Sequence, residues 1–258
     1  MSNTTPSSDD GSLDVFIEGG VATIRFGHHK SNALPGKLLR TLAATVESSG
    51  RRDDVRVIVL RSEGEGAFCA GASFDELLAI ADAAAGKEFF LGFARVILAM
   101  TGAPVPVITA VQGKVVGGGV GLVAASDYCI AVEKASLKLS ELAIGIGPFV
   151  VGPVIEHKIG RGPFGAMALD ANWRDAVWAE RHGLYAQVVT DAAALDVAVA
   201  ARAQALAAAN PEATRGIKKA LWIGTEHWAQ LLDERAATSG RLVLGEFTRA
   251  AIAQFRKS

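Results

Sequence analysis

The chain has 258 residues, half of them hydrophobic, and a formal net charge of −1. That is enough for one medium domain with a sizeable core, and its charge balance argues against nucleic acid as a main partner. No apolar run reaches the roughly 18 residues that a membrane-spanning helix needs. Cys69 and Cys129 lack metal-type spacing, so they read as packed thiols of a reducing, cytoplasmic compartment.

Residues 1–12, MSNTTPSSDDGS, are polar and acidic, without the basic start or apolar stretch of a signal peptide; the expectation is a short disordered tail. Val15–Ile17 and Val21–Phe26 flank Gly19-Gly20 and predict a hairpin. After the loop HHKSNALPG, residues 37–49 carry Leu38, Leu39, Leu42 and Val46 at helical spacing. The β-branched run 55–60 predicts a buried strand. A glycine-rich loop, GEGAFCAGA, then leads to helices from about Phe74 and over about 87–100, followed by a strand at 105–111. A second glycine loop opens a helix near 120–125, and short strands are expected at 128–132 and 136–138. Strand, glycine loop and helix recurring in this way predict α/β layers.

After Ile159 helical patterns dominate: 165–170, 175–182, 192–209, 212–224, 226–244 and 246–255, with Asn210-Pro211 as a break and restart. The division expected is a tail at 1–12, a core carrying the active site at 13–195, and a helical oligomerisation region at 196–258. Trp222, Trp228 and the leucines of that region offer more apolar surface than a small appendage can bury, which points to self-association.

Residues 116–127, VGGGVGLVAASD, pose the central question: glycine at Gly117, Gly118, Gly119 and Gly121. A dinucleotide fingerprint fits poorly, because Leu122 occupies the third glycine position, or Ala124 if the count starts at Gly119. A phosphate loop is excluded, since no Gly-Lys-Ser/Thr follows. Close helix–strand packing would account for the glycines by itself. Residues 67–75, AFCAGASFD, repeat the pattern of small residues between a strand and a helix. Two such loops on adjacent units can each offer a backbone N–H at a helix start, where intrahelical acceptors are lacking. Two converging N–H groups make an oxyanion hole, and a backbone hole needs no side chain.

At this point AFCAGAS, followed by AVQGKVVGGGVGLVAASDYCIA, resembles the crotonase (enoyl-CoA hydratase/isomerase) superfamily. NAL at 32–34, SELAIGIGP at 140–148, HGLYAQVV at 182–189, NPEATRGIKKAL at 210–221 and the terminal FRK match in order, so the resemblance covers nearly the whole chain. It implies an α/β fold, a crotonase-like spiral of repeated ββα units with a C-terminal helical region. It also implies a homotrimer or dimer of trimers acting on acyl-CoA thioesters, with coenzyme A as part of the substrate and no separate cofactor or metal. Carried onto this sequence, the oxyanion donors are the N–H groups of Ala72 and Gly118. His29, Lys30 and Ser31 fall in the coenzyme-A loop, although Lys30 is equally readable as a solvated surface charge. Arg256 and Lys257 could reach coenzyme-A phosphates or simply fray. Further substrate contacts implied are Ala70, Ser73, Phe74, Gly117, Pro148 and Phe149. Ser73 departs from the family pattern, in which many relatives carry Asp.

The family's hydratases use two glutamates, and here the positions read Gly121 and Glu141. Glu141 lies among Leu137, Leu139, Leu142 and Ile144, where desolvation should raise its pKa. Phe149 and Val150 replace glycines of a PGAGG-like stretch, through either a drier pocket or plain core packing. A single glutamate in a dry pocket resembles the Δ3,Δ2-enoyl-CoA isomerase branch. A hydratase working with one glutamate and a non-catalytic acyl-CoA-binding relative are the alternatives.

Overall fold

The computed structural model describes residues 10–255. The expected tail falls mostly on residues 1–9, and Arg256 and Lys257 also lie outside the described residues.

β1 (Ser12–Glu18) and β2 (Val21–Gly27) form the antiparallel hairpin, Glu18 opposite Val21. Gly19 and Gly20 both have positive φ, +57° and +80°, as the two-residue turn requires. α1 (Gly36–Gly50) then buries Leu38, Leu39, Leu42 and Val46 and returns the chain to β3 (Val57–Ser62), parallel to β2. α2 (Phe74–Ala79) and α3 (Ala83–Gly102) precede β4 (Val107–Val111), whose residues are all buried. β5 (Val115–Val116), α4 (Gly118–Ala124), β6 (Tyr128–Val132) and β7 (Ser136–Lys138) follow. A 3-10 turn (Leu142–Ile144), α5 (Gly152–Ile159), α6 (Arg161–Asp170), β8 (Arg174–Asp175), α7 (Ala176–Arg181) and β9 (Gln187–Val189) complete the core.

The main sheet has the order β1-β2-β3-β4-β6-β9, parallel from β2 onward. A second layer is built from the segments that follow main-sheet strands. Leu34 bridges Ala72, Cys69 bridges Val115, and β5, β7 and β8 form a small sheet. Each turn of the spiral therefore contributes one strand to the large sheet, one short extended segment to the small layer, and a helix. This stacks the segments at 69–72, 115–118 and 138–141 beside one another. The α/β spiral expected from the sequence is what is observed.

The helical region comprises α8 (Ala192–Ala208), α9 (Pro211–Leu221), α10 (Trp228–Leu242) and α11 (Glu246–Phe255). α8 runs across the expected boundary at 195–196 and packs on β2, β3, β4, β6 and β9. No single helix among the described residues is long and apolar enough to cross a membrane. α10 lies directly on α3: a β-carbon at Gly240 would sit 2.3 Å from Lys87 N, and one at Gly86 2.6 Å from Gly240 O. α11 reaches the 3-10 turn and α2. The C-terminal helices thus fold onto their own core.

That packing corrects one expectation. Trp222 and Trp228 are buried within this chain, so the apolar surface left exposed in this region is that of Ile217, Leu221, Ile223 and Phe247. His157 stacks on Trp222 with ring centroids 5.2 Å apart, and Trp222 Nε1 donates to Asp127 Oδ1 at 2.7 Å. The same carboxylate accepts from Lys218 Nζ and from Val107 N, each at 2.7 Å, and Lys218 Nζ also donates to Met100 O at 2.7 Å. Side chains 95 residues apart in sequence are therefore closed around one buried acid. Burial lowers the Lys218 pKa, and the Asp127 charge opposes that shift.

Removing one member of a buried pair leaves the other charge uncompensated. Asp127→Ala should cost about 3–5 kcal/mol in chemical denaturation, whereas Arg51→Ala, which breaks only the exposed pair with Glu47, should cost under about 0.5 kcal/mol. Comparable losses in the two variants would contradict the assigned role of Asp127.

Candidate active site

The loop after β3 turns inward at Cys69, whose carbonyl accepts from Val116 N at 2.9 Å. Gly71 follows with φ +93°, and Ser73 caps α2, its Oγ accepting from Glu76 N at 3.4 Å. The second loop turns at Gly117, with φ +54° and ψ −120°, a conformation that only glycine adopts readily. Gly117 N donates to Lys138 O at 2.9 Å, so that Gly118 opens α4. Among the described residues neither Ala72 N–H nor Gly118 N–H donates to an acceptor within the chain, and both residues line one cavity. These are the two donors that the family resemblance implies, on neighbouring turns of the spiral.

The glycines of α4 are required by what they touch. A β-carbon at Gly118 would lie 2.1 Å from Phe93 Cε1, and one at Gly119 2.7 Å from Cys69 Cβ. At Gly117 it would meet Glu141 Oε1 at 3.0 Å and Ser140 Oγ at 3.5 Å. The carboxylate of Glu141 therefore packs against the turn that aims Gly118.

Glu141 stands immediately before the 3-10 turn, and its carbonyl accepts from Ile146 N at 2.9 Å. Part of the residue surface is accessible, yet Oε2 is fully buried and has no hydrogen-bond partner. Burial pushes its pKa up from 4.5 to about 7, against smaller opposing contributions from its own N–H and that of Ser140. A carboxyl group so placed exchanges a proton near neutral pH.

The cavity has a volume of about 50 Å³. Phe74, Leu77, Phe90, Phe93, Ile144 and Val151 give it apolar walls. Glu141 is the one titratable residue among the described residues that line it, and Ser140 and Ser239 supply the hydroxyls. Of the expected site residues, Ala70, Ala72, Phe74, Gly117, Gly118, Glu141, Pro148 and Phe149 come together here. His29, Lys30, Ser31 and Ser73 do not line it. Lys30 Nζ pairs with Asp75, and the Ser31 carbonyl accepts from Ala70 N at 3.1 Å, so this loop is fastened to the rim. Asn32 is the fastener on its other side: Nδ2 donates to Glu63 O and Ala67 O, each at 2.9 Å.

The space beside Gly121, where the resemblance implies a second carboxylate in hydratases, is filled. A β-carbon at Gly121 would lie 2.5 Å from Val151 Cγ1 and 3.5 Å from Ile97 Cδ1. Val151 and Ser239 were not anticipated from the sequence. Ser239 arrives on α10, whose approach depends on long-range helix contact, and no local pattern marks either residue.

A family model described as enoyl-CoA hydratase/isomerase matches residues 17–242. The chain belongs to the enoyl-CoA hydratase/isomerase family. It is 34% identical over 157 residues to a (7aS)-7a-methyl-1,5-dioxo-2,3,5,6,7,7a-hexahydro-1H-indene-carboxyl-CoA hydrolase of Mycobacterium tuberculosis, covering 60% of this chain and 63% of that one. It is 36% identical over 117 residues to the mitochondrial methylglutaconyl-CoA hydratase of Mus musculus, covering 45% of this chain and 37% of that one. The chain spans about half to two thirds of the length of the first curated relatives it matches. Among solved structures, an enoyl-CoA hydratase from Bacillus halodurans superposes with a TM-score of 0.85 at 19% identity, covering 94% of this chain and 99% of that one. This likeness concerns the fold.

Two predictions follow the geometry. Gly121→Ala should cost about 1–3 kcal/mol by overpacking, and adding Val151→Ala should restore a large part of it; no rescue in the double variant would place the strain elsewhere. Because the folded pKa of Glu141 is raised, its contribution to stability is present below pH 4.5 and lost as pH rises to about 7. Glu141→Gln should match the parent in stability near pH 4 and exceed it at pH 8 by on the order of 3 kcal/mol, read from denaturation curves.

Proposed function

We propose that this protein is an acyl-CoA enzyme that moves a double bond from the 3- to the 2-position of an enoyl thioester, with Glu141 as the single proton carrier. One observation carries the proposal: a lone buried carboxylate, with an unpartnered Oε2, shares a small apolar cavity with two unoccupied backbone N–H donors.

The thioester oxygen accepts from Ala72 N–H and Gly118 N–H. Ionised Glu141 takes a proton from C2, and the electron pair moves into the carbonyl, giving a dienolate with its negative charge on oxygen. The two N–H groups hold that charge; removing one such donor typically costs about 3 kcal/mol of transition-state stabilisation. Glu141, now protonated, returns the proton at C4, the 3,4 double bond shifts to 2,3, and the carboxylate is regenerated. A pKa of about 7 suits both half-steps, since the group must accept a proton and release it. The apolar walls strengthen the field of the N–H groups and keep water from the dienolate.

Hydration of a 2-enoyl thioester is the second reading. The name of the hydratase relative favours it, and the hydroxyls of Ser140 and Ser239 could hold a water beside Glu141. Val151, standing against Gly121, favours the first reading, because the second acid of a two-carboxylate hydratase has no room there. A homotrimer or dimer of trimers belongs to the proposal. The exposed apolar residues that support it are Ile217, Leu221 and Ile223.

A panel of 2-enoyl, 3-enoyl, 3-hydroxyacyl and saturated acyl-CoAs, read by mass spectrometry, separates these readings. Isomerisation of the 3-enoyl substrate should dominate, and Glu141→Gln should lower kcat by at least about 10²-fold. The kcat of the parent should rise with pH up to about 7 and then level off, because the ionised form begins the reaction. Fast hydration of crotonyl-CoA without isomerisation would reverse the order of the two readings. Binding without turnover across the panel would make the protein a non-catalytic relative.

A further inference from the structure

Phe149 stands between two cavities. Its ring, with Pro148, lines both the catalytic cavity of about 50 Å³ and an adjoining pocket of about 250 Å³. The chain makes room for the ring at this spot. Gly147 has φ +81°, and a β-carbon there would lie 2.8 Å from Phe149 Cε2. The catalytic cavity alone, at about 50 Å³, has room for only about four water-sized groups, the reacting carbons included.

The second pocket is lined mostly by apolar residues. Pro153, Phe164 and Ala168 give it apolar walls. A β-carbon at Gly152 would come within 2.9 Å of Phe164 Cζ, so that wall too depends on an omitted side chain. Arg235, an exposed residue of α10, stands at the rim of the pocket, with its guanidinium 6.0 Å from the centroid of the Phe149 ring. The pocket's one acid, Glu156, is engaged by Arg161 Nε at 2.9 Å. Among the described residues no carboxylate pairs with Arg235.

We infer that Phe149 is a gate, and that the pocket beyond it receives the far end of an acyl group that carries a terminal carboxylate, held by Arg235. The inference rests on the acyl-CoA reading above and is independent of which reaction Glu141 performs. Rotation of one aromatic side chain joins the two cavities, a motion within the ordinary range of side-chain dynamics. The methylenes of such an acyl group would lie along Pro153, Phe164 and Ala168. A plain alkyl end would crowd water away from the guanidinium without replacing its hydrogen bonds, whereas a carboxylate offers the planar, two-point partner that arginine fits best. The acyl specificity would then be set by the segment after Glu141 and by α10, and not only by α2 and α3.

Saturated ligands test this without catalysis. Binding of adipoyl-CoA against hexanoyl-CoA, and of suberoyl-CoA against octanoyl-CoA, is measured by calorimetry. The dicarboxylic member should bind about tenfold tighter in at least one pair, the range expected for a charge-assisted hydrogen bond. In Arg235→Gln that ratio should fall to about one, with Arg235→Lys between. Phe149→Ala should shift the preference for eight-carbon over four-carbon ligands upward at least threefold. No preference for a carboxylate at either length, or a preference that survives intact in Arg235→Gln, would overturn the inference and leave the proposed function standing. Failure of every acyl-CoA to bind would overturn the proposed function, and this inference with it.

Discussion

The site depends on backbone approaching where no side chain can be admitted. Cys69 O receives the Val116 N–H, Gly117 N reaches Lys138 O, and the Glu141 carboxylate rests against the α-carbon of Gly117. Three successive turns of the spiral are brought together by these contacts. A methyl group at Gly117 or Gly119 would push them apart, since it would meet Glu141 at 3.0 Å or Cys69 at 2.7 Å, and one at Gly118 would meet Phe93 of α3 at 2.1 Å. The donors of the proposed reaction are aimed by the same exclusion that packs the core. Stability and chemistry therefore share their residues.

Burial does the second part of the work. The apolar walls that pack the cavity also remove water from Glu141 and lift its pKa to about 7. The same walls fill the position opposite Gly121 with Val151. One arrangement thus produces a group able to carry a proton at neutral pH and denies it a second acid. The C-terminal helices belong to this arrangement, because α10 contributes Ser239 to the cavity and Arg235 to the pocket beside it.

Much of this was legible in the sequence. The hairpin, the helix over 37–49 and the strands at 128–132 and 136–138 follow from periodicity and turn chemistry. Two small-residue loops suggest a backbone oxyanion hole, the family resemblance implies Ala72, Gly118 and Glu141 as its residues, and the structure draws them around one cavity. β5, β8 and β9 have two or three residues each and exist through pairing with strands remote in sequence, so no local run announces them. α5 opens with Gly152-Pro153, which reads as a break although proline is favourable in a first helical turn. The burial of Trp222 escaped notice because its partners, His157 and Asp127, are remote in sequence. Gly121 could be read as a missing acid; that Val151 occupies the space could not.

The central claim is that one carboxylate carries a proton between two carbons of a bound thioester enolate. A 3-enoyl-CoA deuterated at C2 tests it most directly, with the position of the label in the product read by mass spectrometry and NMR. The account predicts a 2-enoyl product with part of the label carried to C4, and loss of both turnover and transfer in Glu141→Gln. Turnover of the 3-enoyl substrate that persists in Glu141→Gln, or an enzyme that leaves it untouched while adding water at C3 of a 2-enoyl substrate, would contradict the account.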